Sequence, residues 1–62
     1  MNHHELCKDW IDDGKFYLCR ADKFTTVLIM KDEPNLISIN GIHVPYSDDT
    51  IRRVNVMAEA QK

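Results

Sequence analysis

The sequence has no apolar run longer than the four residues from Val27 to Met30, whereas a helix that crosses a membrane needs about 18 to 20. No membrane-spanning helix is predicted. Glycine and proline are scarce, two of each in 62 residues, and no low-complexity tract occurs, which argues against a disordered or repetitive chain. Neither sign of charge dominates, since ten acids against eight bases leave a formal charge of −2. That excludes a global positive field able to gather nucleic acid or anionic lipid, and the acidic excess is too slight for a DNA mimic. The opening residues, Met-Asn-His-His-Glu, lack the basic and apolar regions of a secretory leader, so a cytoplasmic protein is expected. In a reducing compartment the only two cysteines, Cys7 and Cys19, are predicted to be free thiols, with a bridge between them as the alternative.

The signatures of catalysis are also missing. There is no P-loop, no nucleophile elbow and no paired acidic motif of a hydrolase. A nucleophile would have to be Cys7 or Cys19 with His43 as base, and the strand pattern puts His43 on the outer face of a hairpin. The chain therefore reads as non-enzymatic and without a cofactor. His3 and Cys7, at i and i+4, could share a metal ion if Cys19 or His43 arrived from elsewhere. A structural zinc site takes four ligands and a catalytic one three plus water, and the spacing supplies only these two, so no metal is expected. The pairs Asp12-Asp13, Asp32-Glu33 and Asp48-Asp49 read as solvated turn or helix-start charges rather than a hard-cation site.

What is present is an ordinary globular composition, 44% hydrophobic and 29% charged, expected to form a single small α+β domain over residues 1–62. Leu6, Cys7, Trp10 and Ile11 recur at helical spacing within residues 3–13, predicting a short amphipathic helix capped by Asn2 and stopped at Gly14. From Lys15 the pattern turns to β-branched and aromatic residues in two runs, 15–21 and 24–31. A two-residue turn at Asp22-Lys23 would pair Ala21 with Phe24, Leu18 with Val27 and Phe16 with Ile29. Both faces of this hairpin are apolar, so each should be covered, by a helix on one side and by another helix or a second subunit on the other.

Asp32-Glu33-Pro34-Asn35 is the next turn. Asn40-Gly41 between alternating residues then predicts a type I′ hairpin that pairs Ile39 with Ile42 and Ile37 with Val44. Pro45 marks an edge. Ser47 should cap a second helix over residues 48–59, with Ile51, Val54 and Ala58 or Met57 inward and Arg52, Arg53, Asn55 and Glu59 mostly outward. The predicted fold is a four-stranded antiparallel meander sheet flanked by an N-terminal and a C-terminal helix.

A chain of this length buries only about 60% of its unfolded surface, and small domains tend to add a disulfide, a metal or a partner subunit. A homodimer is therefore expected, with Trp10, Leu28 and Met30 as interface residues. The functional expectation is a small binding protein, an inhibitor or adaptor of the bacterial or phage accessory type. It would engage another protein through an edge strand and the surface around Arg52, Arg53 and Tyr46. The alternative is a module that sequesters a nucleotide or binds nucleic acid, with Arg20, Lys23, Arg52 and Arg53 on phosphate and Tyr17 or Tyr46 stacking on a base.

Overall fold

The computed structural model describes residues 3–33 and 35–62. It shows a compact α+β arrangement in which a short 3₁₀ helix, His3–Cys7, is followed by five strands and one α-helix: β1 (Ile11–Asp12), β2 (Phe16–Asp22), β3 (Thr25–Met30), β4 (Leu36–Ile39), β5 (Ile42–Pro45) and α1 (Asp48–Ala60). The strands form one antiparallel sheet in the order β1-β2-β3-β4-β5. Each strand thus pairs with its neighbour in sequence. The predicted caps Asn2 and turn residue Pro34 lie outside the described residues.

The N-terminal helix is the first correction. One 3₁₀ turn replaces it, and Ile11 and Asp12 form a strand opposite Leu18 and Tyr17. Helices shorter than about 12 residues are marginal on their own, and the free edge of β2 offers backbone partners that an isolated helical turn cannot match. Gly14 does take a left-handed conformation, φ 82°, but in the β1–β2 turn rather than at a helix end. Its N–H donates to Asp12 Oδ1 at 3.0 Å.

The second correction is register. In the β2–β3 hairpin Phe16 pairs with Met30, Leu18 with Leu28 and Cys19 with Val27, and the register shifts between Arg20 and Asp22. The turn is Lys23-Phe24, not Asp22-Lys23, because Asp22 Oδ1 accepts the Phe24 N–H at 2.8 Å and draws the chain round one residue later. Ala21 becomes the extra residue of a bulge. A slip of one residue exchanges the faces of a strand, so Val27 and Ile29 share their face with Tyr17 and Cys19 instead of Phe16 and Leu18.

The second hairpin follows its prediction. Ile39 pairs with Ile42 and Ile37 with Val44, and Asn40 and Gly41 have φ of 53° and 87°, as a type I′ turn requires. Ser47 is the N-cap of α1 in extended conformation, although its side chain makes no capping bond.

The helix α1 and the 3₁₀ turn pack on the same side of the sheet. Between them lies the core: Cys7, Trp10, Cys19, Ala21, Val27, Ile29, Ile37, Ile51 and Val54. Ile29, Ile37 and Ile51 are completely buried, each contributing about 1.5 to 3 kcal/mol of apolar transfer. The opposite sheet face carries Ile11, Phe16, Leu18, Leu28, Met30 and Leu36 and is covered by no element among the described residues. Of the two covers expected for this face, a helix or a second subunit, the helix is thereby ruled out among the described residues, and the chain itself forms two layers with one open apolar face.

Candidate functional site

The end of the sheet that holds the β2–β3 and β4–β5 turns is built by one side chain. Asn40 Oδ1 accepts the Thr26 N–H at 2.9 Å, its Nδ2 donates to the Phe24 carbonyl oxygen at 3.0 Å, and its backbone N–H donates to Thr26 O at 3.0 Å. One turn is thereby tied to the other. With Asp22 holding the Phe24 N–H and Asn40 holding its carbonyl, the backbone of Phe24 is fixed on both sides while its ring is 84% exposed. Lys23 precedes it, and Ile42, 68% exposed, stands beside the neighbouring turn. An exposed aromatic side chain carried on an ordered backbone can serve as an anchor for a partner.

The sequence missed this feature because the hairpin was expected to turn one residue earlier, which made Phe24 a strand residue. An aspartate preceding a turn favours an Asx turn with the N–H two residues on, and that signal was available at Asp22.

The four candidate phosphate binders do not converge. Arg20 alternates with Leu18 on the open sheet face, Lys23 is in the β2–β3 turn, and Arg52 and Arg53 are exposed on α1, which covers the other face. Arg52 stands 3.9 Å from Asp49 in an exposed pair, and a shallow hollow beside it is lined by Arg53, Val56 and Met57. Tyr46 is half-buried and packs against the core. Burial, and then a hydrogen bond with Asp48, push its phenol up to about 12. Tyr17 is also partly buried, with the Lys31 ammonium 4.8 Å from its ring centroid. Lys31 in turn meets Asp12 Oδ1 at 2.7 Å. That bond, together with the Gly14 N–H, holds the Asp12 carboxyl below its ordinary range.

Trp10, expected at an interface, is inside the core instead, with its Nε1–H donating to Asn55 Oδ1 at 2.7 Å. Asn55, expected outward, faces in and also donates from Nδ2 to the Leu6 carbonyl oxygen at 2.7 Å. Leu28 and Met30 do lie on the open face. His43, exposed on β5 of the same face, shares a hollow there with Leu28, Met30, Glu33, Leu36 and Ser38.

Both cysteines are free and buried. Burial, and then the proximity of Cys19, push the Cys7 thiol up to about 11, and burial raises Cys19 as well. A thiol held neutral in this way is a poor nucleophile at neutral pH. Among the described residues no three of His, Cys, Asp and Glu gather as a metal site, and the side chains of His3 and His4 lie outside that set. No helix is long and apolar enough to cross a membrane among the described residues.

Comparison with protein-family models, with curated proteins and with solved structures gave no match. The chain is defined by its architecture, a small α+β protein with a five-stranded antiparallel meander.

Proposed function

We propose that this is a small non-enzymatic binding protein, an inhibitor or adaptor that acts by docking on another protein, and that Phe24 is its anchor. The observation that carries this reading is the exposure of that ring on a backbone bonded at both its N–H and its carbonyl. An exposed aromatic on a floppy loop would lose backbone as well as side-chain freedom on binding, whereas here the backbone is already ordered and only the side chain remains to be fixed. Lys23 adds a cation at the rim, and Ile42 extends the apolar contact. The arginine pair of α1 takes second place, since Arg52 already has Asp49 beside it. Phosphate recognition by Arg20, Lys23, Arg52 and Arg53 acting together is disfavoured by their placement on different sides of the sheet.

Strand addition is a poor route for this sheet. In a two-residue hairpin the residues flanking the turn form a hydrogen-bonded pair, so Ile42 and Val44 direct their N–H groups toward β4 and only His43 points outward. Pro45 has no N–H to offer, and β1 at the other edge is two residues long.

The test is affinity capture with two baits, the wild-type protein and Phe24→Ala, both shown to be folded. A protein retained by the first should be lost by the second, and with purified components the affinity should fall at least about tenfold, as for an aromatic hot spot. Retention should persist when salt rises from low to high, which a phosphate-based contact would not survive. Identical retention by both baits would overturn the reading.

A further inference from the structure

We infer that the open sheet face is a homodimer interface, in which two copies of the chain stack face to face about a two-fold axis running across the strands. This goes beyond the docking of Phe24 and stands without it. The face is apolar at its centre, where Leu18 lies opposite Leu28 and Phe16 opposite Met30, and Met30 and Leu36 are 38% and 41% exposed even though they belong to a sheet. A chain this small has no disulfide to compensate for a thin core, and covering the second face is how such a sheet completes its burial.

The charges at the two ends of the face identify a second copy as the occupant. Arg20 lies on this face at the β2–β3 turn end, opposite Thr26. Glu33 lies at the other end, in the β3–β4 connection, where it borders the same hollow as Leu28, Met30 and Leu36. A two-fold axis across the strands lays each end over its opposite, so Arg20 of each copy comes over the end that carries Glu33 of the other, one to two strand spacings (~5 to 10 Å) to the side and within the combined reach of two long side chains. The surface is therefore self-complementary, as an isologous contact must be. Stacking by the alternative axis, along the strands, would set Arg20 over the like-charged end. The blunted edges leave the face as the better surface for a second copy.

The experiment is sedimentation velocity of the full chain over a concentration series, with three kinds of variant. The wild type should move from monomer to dimer as concentration rises. Arg20→Glu and Glu33→Arg, both changes of exposed side chains, should each weaken association about five- to tenfold, and the double swap R20E/E33R should restore it to within about twofold. Leu28→Glu should abolish the dimer, with circular dichroism checking that the sheet persists. A wild-type monomer at every concentration overturns the inference and leaves the face to a different partner. A dimer that ignores the charge swaps overturns the stacking direction and, with it, the assignment of this face.

Discussion

Asn55 holds Trp10 to the helix: the indole Nε1–H donates to its Oδ1 at 2.7 Å while its Nδ2 donates to the Leu6 carbonyl at the same distance. One amide thus satisfies a donor and an acceptor on the N-terminal segment, beside a cleft between that segment and α1 that is lined by Leu6, Trp10, Cys19, Asn55 and Ala58. Asn55→Leu should cost about 2 to 3 kcal/mol, because both partners lose their bond in a partly buried place. Asn55→Asp should fall between that variant and the wild type, since it keeps an acceptor for the indole and sets a carboxylate against the Leu6 oxygen. Urea unfolding followed by the fluorescence of Trp10, the only tryptophan, measures both. Equal midpoints for Asn55→Leu and wild type would show that the clasp contributes nothing.

Asn40 separates two accounts of the same residue. As a type I′ turn former it should be replaceable by glycine at little cost, because glycine adopts positive φ freely. As the tie between two turns it should not. Asn40→Gly is expected to lose about 1 to 2 kcal/mol through the bonds to Thr26 and Phe24, and Asn40→Ala about 1 kcal/mol more through left-handed strain. The order wild type, glycine, alanine in thermal unfolding checks this, and a glycine variant as stable as wild type would refute the tie.

The buried thiols set an alkaline limit. Cys7 titrates near 11 in the folded protein against an ordinary 9.0, so on raising the pH the unfolded chain releases its proton first. The stabilising contribution is complete below pH 9 and is lost as pH climbs toward 11. Unfolding free energies measured across that window should decline, and the slope should flatten in Cys7→Ala. Native protein at pH 8 should also react slowly with an aromatic disulfide reagent, and rapidly once unfolded. Labelling of the native thiols at the unfolded rate would contradict their burial.

How much could be read from the residues alone follows from how local each signal is. Asn40-Gly41 dictates its turn by backbone chemistry, so that hairpin and its register were legible. So was α1, from Ser47, Asp48 and the spacing of Ile51 and Val54, whereas the meander order of β2 to β5 was assumed from the short connections and no residue signalled β1. The first hairpin was not, because Phe16, Leu18, Tyr17 and Cys19 are apolar on both faces and an alternating pattern that is apolar throughout cannot say which residues go inside. Ala21, the bulge residue, tips the choice. The N-terminal segment misled for a related reason, since Leu6, Cys7 and Trp10 fit helical spacing while their inward direction comes from contacts with a helix more than forty residues away. Asn55 shows the same limit, as nothing near it in sequence announces that an asparagine amid exposed charges turns inward. As for the site, Lys23 was singled out and Phe24 was not, a difference of one turn position.

The meander order also bears on how the chain reaches this structure. Every strand partner is the next strand along, so the sheet can zip from either hairpin with short loop closures, the regime in which folding is quick. The clasp of Asn55 on Trp10 and Leu6 spans 45 and 49 residues and so carries the largest closure entropy of the bonds described here. Closure entropy therefore favours making it after the sheet, and hydrogen exchange is expected to show it opening before either hairpin.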